Sequence, residues 1–307
     1  MYPRWIWRAF ALPGVAWLVA FFLVAFYAIV ATSFGFADDV GDPIPAWNPL
    51  DWNVGWFNAV FQELGPGGIY WTVFSRTFVY VIAAAALSLL IGYPVAYYVA
   101  RRAGRLRGPL LLLIVLPFWI SYLMRMFAWV NLLAADGYAT RLLAFFQIDT
   151  LFRHIGLLDQ GAGWLDGQSI SVIMALVYGY VPFMIIPVYA AVDRIDQRVI
   201  EAARDLGGSP ASAFRRVTLP LSMPGILGGL VLITLPMFGD YYTADLISSS
   251  PRTNMIGNQI DLAIHRGSEK PIGAALTVVL SLMLVVLMAY YLRHTHRAGK
   301  AARVGAA

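Results

Sequence analysis

The chain contains no cysteine. Disulfide frameworks, thiol nucleophiles and cysteine-ligated metals are therefore excluded. Charge is scarce as well: Asp, Glu, Lys and Arg make up 13% of the residues, against roughly 25% in a soluble domain. Lysine is nearly missing. Lys270 and Lys300 are the only two, and neither follows a glycine-rich loop, so no phosphate-cradling P-loop is expected. The metalloprotease pattern H-E-x-x-H and the nucleophile elbow G-x-S-x-G are absent. The four histidines do not gather, because His154 and His265 fall in separate polar stretches and His294 and His296 share a basic tail. No catalytic residue and no metal ligand is expected, and an enzyme is a poor reading.

What the chain has in quantity is apolar surface, with 60% of its 307 residues hydrophobic. Six segments are long enough to cross a ~30 Å hydrocarbon core at about 1.5 Å per helical residue. They are Leu12–Phe34, Val73–Ala100, Pro109–Leu133, Ser169–Val192, Pro224–Ile247 and Pro271–Leu292. Backbone amides inside lipid have no water to bond, so these segments are expected to be helices. The expected fold is an all-α membrane protein of six transmembrane helices. The first segment is longer than a signal-peptide core and lacks a small-residue cleavage site, so it is expected to be an uncleaved span.

The basic residues lie at the ends of the apolar runs rather than in a patch suited to nucleic acid. With the N-terminus inside, the inner segments hold Arg4, Arg8, Arg101, Arg102, Arg105, Arg107, Arg194, Arg198, Arg204, Arg215, Arg216, Arg293, Arg297, Lys300 and Arg303. The only acids there are Asp193, Asp196, Glu201 and Asp205. The positive-inside rule then places both termini in the cytoplasm. Residues 1–10, with Tyr2, Pro3, Trp5 and Trp7 among arginines, are expected to form an interfacial anchor. Residues 11–293 form the six-helix domain, and 294–307 a basic tail.

Three outer loops follow from this layout. Gly35–Trp71 should contain a short helix over Asn53–Leu64, with Trp56, Phe57 and Phe61 at helical spacing. Its acids Asp38, Asp39, Asp42 and Asp51 are either solvated surface or a docking patch for a soluble protein. Ala134–Gln168 should fold back on the helices. Ser248–Lys270 reads as a polar loop ending in Arg266-Gly267-Ser268-Glu269-Lys270. Within the spans, Pro94, Pro117, Pro182, Pro187 and Pro236 should kink their helices, and Gly225-x-x-x-Gly229 permits close helix approach. Arg76, near the outer start of the second span, reads as a snorkelling or gate contact.

The inner loop 193–223 is the longest cytoplasmic connection. Ile200–Leu206 should form a short helix with Ala202, Ala203 and Leu206 on one apolar side, ended by Gly207-Gly208 and Pro210. A second helical piece, Ala211–Val217, should stop at Pro220. The pair reads either as a solvated bridge between spans or as a docking element for a soluble partner.

Here the residues carry a resemblance. Glu-Ala-Ala, three residues, Gly, nine residues, an aliphatic, one residue and Leu-Pro resembles the signature of importer-type ABC transporter permeases. Glu201, Ala202, Ala203, Gly207, Leu219 and Pro220 match it, and Val217 stands where isoleucine is usual. The resemblance implies the type I importer permease fold. It also implies that Glu201, Ala202, Ala203, Asp205, Gly207, Leu219 and Pro220 couple the permease to a cytoplasmic ATPase. A narrower resemblance, to the spermidine/putrescine permease subfamily, rests on several further motifs. They are Leu116-Pro117-Phe118-Trp119, Leu123-Met124-Arg125, Gly137-Tyr138, Leu176-Val177-Tyr178, Leu235 to Tyr242 and Met255-Ile256-Gly257-Asn258. It implies import of polyamines or another small organic solute across the bacterial inner membrane. The implied partners are a second permease subunit, an ATPase dimer and an extracytoplasmic substrate-binding protein, with the lipid bilayer as surroundings and no nucleic acid. ATP and magnesium would sit on the ATPase, and no cofactor on this chain.

Arg125 and Asp240 are the charges deepest in the expected spans. A charge there costs roughly 2.5–3.5 kcal/mol on insertion scales, so each should face a partner or water. They either pair with one another or with neighbouring loops and hold the bundle, or belong to a solute path. In the second case Asp240 and Asp245 would offer carboxylates to a polycation, and Trp119, Tyr122, Tyr241 and Tyr242 would offer cation–π faces. Two rival functions remain at this point. An ion-driven secondary transporter usually shows an internal repeat, which is not seen here. A membrane scaffold would leave the charges in spans three and five without a role.

Overall fold

A computed structural model describes residues 4–39, 41–265 and 270–304. The expectations for Tyr2 and Pro3, for Arg266 to Glu269 and for residues 305–307 lie outside the described residues. Among the described residues, five helices are long and apolar enough to cross a membrane, and a bent pair, taken as one span, makes a sixth. They are Ala9–Ser33, Ile69–Arg101, the pair Gly104–Trp119 and Tyr122–Leu133, Ser169–Asp193, Pro210–Phe238 and Lys270–Ala289.

The chain divides into two compact units. One comprises the residues up to Thr72 together with Gln259–Tyr291. Its first helix carries a wide π-turn at Val19–Leu23. A two-residue antiparallel pairing, Phe36 opposite Ile44 and Ala37 opposite Pro43, follows it. The expected loop helix is present as Gly55–Glu63. Phe57 is buried on it, Trp56 Nε1 donates to Gly35 O at 3.1 Å, and Phe34 stacks on Trp52 at 4.3 Å. Two of the loop acids are used internally: Asp38 Oδ1 accepts the Asp42 amide, and Asp42 pairs with Lys270 at 2.7 Å.

The other unit comprises Val73–Asn258 and the residues from Leu292 onward. Its centre is the packing of Ser169–Asp193 on Pro210–Phe238. Small residues make that contact close. A Cβ on Gly225 would lie 2.3 Å from Ala191 Cβ and 2.6 Å from Pro187 O, and one on Gly229 would lie 2.7 Å from Met184 Sδ. The segment Ala134–Gln168 does fold back. Leu158 and Trp164 join Leu133 in a small core, packed by Trp129, Leu143, Ile170 and Met174.

Three expectations are corrected. The third span is not one rod: Leu116–Trp119 tightens into a 3-10 turn around Pro117, Ile120 and Ser121 go extended, and the helix resumes after a 92° bend. Proline offers no amide to the preceding turn, and the tightened turn does not propagate. The fifth span ends at Phe238, and Tyr242–Ser248 is a separate short helix. Pro236 leaves a carbonyl unbonded and Gly239 caps the end, its amide returning to Pro236 O at 3.2 Å. The segment Ser248–Lys270 is not plain loop either, because Ile256–His265 is a helix with Ile256 and Ala263 buried.

Candidate functional site

Two regions carry the candidate functional residues. The first is the loop 193–223. Asp196 Oδ1 accepts the Arg198 amide at 2.9 Å and starts the helix Gln197–Asp205. The helix stops where Gly207 takes φ +88°, a left-handed conformation that glycine adopts without penalty. Gly208 lies so close that a Cβ would sit 2.5 Å from Ala203 O. The two glycines after Glu-Ala-Ala thus have separate physical reasons.

The buried side of this helix is Ile200, joined by Ala203 and packed with Ile195, Ala213 and Val217. The expectation that Ala202, Ala203 and Leu206 share one apolar side is corrected. At 3.6 residues per turn Ala203 follows Ile200 inward, whereas Ala202 and Leu206 point outward. Leu206 is 90% exposed, and Val199 two turns earlier on that face is exposed too. Glu201 and Asp205 flank this apolar stripe, both exposed. The second helical piece does not stop at Pro220. Pro210–Ala213 passes through a π-turn at Phe214–Thr218 into Leu219–Phe238. The wide turn accommodates the proline ring, so Pro220 lies inside a continuous 29-residue helix.

Two arginines at the end of the second apolar helix and the turn after it hold the base of this loop. Arg101 Nη2 donates to Val192 O at 2.8 Å and Ile195 O at 2.7 Å. Arg107 bonds the Tyr189 hydroxyl and pairs with Asp193. Above them Tyr93 Oη meets Ser222 Oγ at 3.0 Å, and Phe214 packs edge-on against Tyr93 and Tyr97.

The second region surrounds Asp240, at the break after Phe238. Its carboxylate is buried, with 6% exposure. Oδ1 accepts the Thr243 amide at 3.0 Å, which starts the next helix. Oδ2 accepts Tyr122 Oη at 2.6 Å, Thr243 Oγ1 at 2.8 Å and Tyr180 Oη at 3.2 Å. Tyr122 and Thr243 also touch through their hydroxyls. The break is braced from behind: Asn258 Nδ2 donates to Tyr241 O at 2.8 Å, and a Cβ on Gly257 would lie 2.8 Å from Gly239 O. That gives the Ile256-Gly257-Asn258 motif a structural purpose.

Arg125 is equally buried, its guanidinium 5.4 Å from the Tyr122 ring centroid and its Nη1 3.5 Å from Gly179 O. Arg125 Nε has no hydrogen-bond partner, and Arg125 forms no ion pair with Asp240. The pairing expected as one alternative is therefore not formed. Both residues instead converge on Tyr122.

The other expected path residues are not in this cluster. Trp119 is 78% exposed on the 3-10 turn, and its neighbour Phe118 turns inward onto Phe183 at 4.3 Å. A 3-10 turn rotates successive side chains by about a third of a turn, so only one of the two aromatics can face the helices. The rings of Tyr241 and Tyr242 pack against one another with centroids 3.9 Å apart and a 30° tilt, and Asp245 is exposed on the short helix. Sequence reasoning missed Tyr180 and Thr243. Thr243 was findable as the residue three after Asp240, the spacing of a carboxylate-capped helix start. Arg76, expected as a gate or snorkelling contact, donates to Pro251 O and Asn254 O at 3.0 and 3.1 Å.

The family model of the "binding-protein-dependent transport system inner membrane component" matches residues 88–299. The chain is 32% identical over 287 residues to the spermidine/putrescine transport system permease protein PotB of Haemophilus influenzae, covering 91% of this chain and 90% of that one. It is 32% identical over 276 residues to PotB of Escherichia coli K12, covering 89% and 93%. Among solved structures, it is similar to a chain of a bacterial alginate ABC transporter in complex with an alginate pentasaccharide-bound periplasmic protein. The TM-score there is 0.67 at 19% identity, covering 96% and 95% of the two chains. A chain of the inward-facing MetNI methionine ABC transporter gives a TM-score of 0.52 at 17% identity, covering 78% and 97%. At these identities the structural likeness establishes the fold alone.

Proposed function

The chain belongs to the family of binding-protein-dependent transport system inner membrane components, and from that premise we propose that it is a membrane-spanning permease subunit of an ABC importer for polyamines. The carrying observation is the likeness to spermidine/putrescine permeases over nearly the whole length of both chains. The fold is that of type I importer permeases. Partners of this class are a cytoplasmic ATPase and a substrate-binding protein. A second permease subunit completes the pathway, and both termini lie in the cytoplasm. The chain carries no ATPase site of its own, and ATP and magnesium bind the partner.

The exposed stripe Val199, Ala202 and Leu206, edged by Glu201 and Asp205, supports the reading of 197–205 as the helix that docks on the ATPase. The helix Pro210–Phe238 then runs from that surface to the Asp240 cluster, about 44 Å at 1.5 Å per residue. Movement of the docking helix reaches the outer polar cluster through one continuous element. The solute follows by alternating access. Asp240 receives an ammonium group, with Tyr122 and Arg125 orienting the carboxylate and its surroundings.

The test is uptake into proteoliposomes by the complex co-purified with its ATPase, second permease and binding protein, using labelled putrescine, spermidine and anionic solutes. ATP-dependent polyamine uptake that disappears in Glu201→Arg is expected. ATP-driven uptake of a different solute would retain the transporter class and discard the polyamine. Uptake indifferent to ATP in an intact complex would overturn the class.

A further inference from the structure

A groove of about 500 Å³ runs between the fourth and fifth apolar helices, with Tyr180, Phe183, Gly228, Leu232 and Pro236 in its lining. The walls are aliphatic and aromatic except for one group. Tyr180 presents its ring to the groove, while its hydroxyl donates to Asp240 Oδ2. A buried carboxylate therefore stands one hydroxyl behind an apolar trough. Phe183 packs against Phe118, the ring centroids 4.3 Å apart and the rings tilted by 54°. At Gly228 the groove is open, since a Cβ there would meet nothing within 4 Å.

The contacts on Asp240 are unequal. Tyr122 and Thr243 hold Oδ2 at 2.6 and 2.8 Å, while the Tyr180 bond is 3.2 Å. Tyr180 is thus the donor most readily exchanged. An ammonium group arriving from the groove has three N–H donors and can give one to Asp240 Oδ2 and another to the Tyr180 oxygen. The other hydroxyl bonds would stay in place.

We infer that this groove is the seat for the methylene chain of a linear diamine or polyamine, with one ammonium end held between Tyr180 and Asp240. The inference rests on the polyamine reading above and adds the residues that would measure chain length. A hydrocarbon linker leaving water for an apolar trough gains about fourfold in affinity per methylene. The aromatic faces of Tyr180 and Phe183 suit the CH₂ groups next to the charged nitrogen, which carry part of its positive charge. Because Asp240 is the only carboxylate joined to this groove among the described residues, this chain fixes one end of the solute.

The experiment uses the assembled complex in proteoliposomes and a homologous series from propane-1,3-diamine to octane-1,8-diamine, each competing with labelled spermidine. In the native complex, competition should strengthen with chain length. Gly228→Leu places a side chain in open space and fills the trough. It should weaken the longer diamines at least tenfold more than the shortest. A length profile identical to native would overturn the groove while leaving polyamine transport intact. A native complex that carries no amine would overturn the polyamine reading itself. A second readout does not depend on transport. The chain has no cysteine, so Gly228→Cys gives a single maleimide target on this subunit. Long diamines should slow its labelling several-fold in the assembled complex. Labelling at an unchanged rate would overturn the inference. So would a thiol that reacts only after the complex is dissociated, because the groove would then be covered by another subunit.

Discussion

The hydroxyl of Tyr122 lies 2.6 Å from Oδ2 of Asp240, across 118 residues of chain. Tyr122 begins the helix after the 92° bend, and Asp240 stands in the break after Phe238. Each interruption supplies one partner. Had both segments continued as straight helices, these side chains would have stayed on their own helix surfaces. The two breaks bring a carboxylate and its donors together in a region with few polar groups.

Replacing Asp240 tests that network. Asp240→Asn retains an oxygen for the Thr243 amide, whereas Asp240→Ala removes the acceptor shared by three hydroxyls and that amide. Each buried donor left unpaired costs about 1–3 kcal/mol. The expected order of thermal stability in the purified complex is native, then Asn, then Ala, with polyamine uptake lost in both variants. Asn and Ala melting together would show that the carboxylate does not organise the cluster, and normal uptake by Asp240→Asn would remove it from the solute path.

Gly225 is expected to be the least tolerant glycine in the chain's helices. A Cβ there would lie inside contact distance of both Ala191 Cβ and Pro187 O, and backbone cannot yield as a flexible side chain can. Gly225→Val should separate the fourth and fifth helices, reduce membrane accumulation and lower the melting temperature of whatever assembles. Gly228→Val, three residues along and facing open space, serves as the control for loss of helical glycine alone. Equal stability of the two variants would contradict the packing argument.

Arg101 should matter more than Arg107 although both sit at the same loop. Arg101 bonds two backbone carbonyls, Val192 O at the end of the fourth apolar helix and Ile195 O in the turn after it, and so ties that turn to the second apolar helix. Arg107 makes a partly exposed ion pair with Asp193, a class of contact that solvent screens and that adds little to stability. Arg101→Ala should therefore destabilise by a few kcal/mol, since bonds from charged donors contribute about 1.5–3 kcal/mol each. Arg101→Lys, with a single ammonium, should recover part of that. A melting curve for Arg107→Ala shifted as far as that for Arg101→Ala would reject the distinction.

Much of this architecture was legible because it depends on composition and local chemistry. Apolar length located the helices, and Gly207-Gly208 marked a helix end that no other residue pair would form as easily. Gly225 and Gly229 announced the close packing. Other features escaped because hydropathy sums over a segment and is blind to its direction. Pro109–Leu133 is apolar enough for one span whether or not Ile120 and Ser121 are extended. Gly239 and Asp240 were hidden in the same way, inside a run long enough to be read through. Pro220 looked like a stop because a proline rule assumes an α-helical preceding turn, and the π-turn at Phe214–Thr218 removes that assumption. Tyr180 could not be told from an interfacial aromatic, since its partner lies 60 residues away.

Leu206 offers a test of docking without disturbance of the fold. It is 90% exposed, so Leu206→Asp removes almost no burial within this chain, and surface changes of that kind stay within about 0.5 kcal/mol. A large apolar side chain held out in water on a rigid, doubly capped helix is instead suited to a pocket on another protein. In the assembled transporter the substitution would desolvate a carboxylate at the interface centre. The expected result is normal membrane insertion and normal melting of the isolated permease, with at least tenfold weaker retention of the ATPase on co-purification and matching loss of uptake. Ala203→Asp supplies the contrast: Ala203 packs against Ile200, so a charge there should damage the isolated permease first. If Leu206→Asp kept its ATPase and its transport, the outward stripe would not be the docking surface, and the contact would have to be sought on the arginine-bearing turn at Arg215 and Arg216.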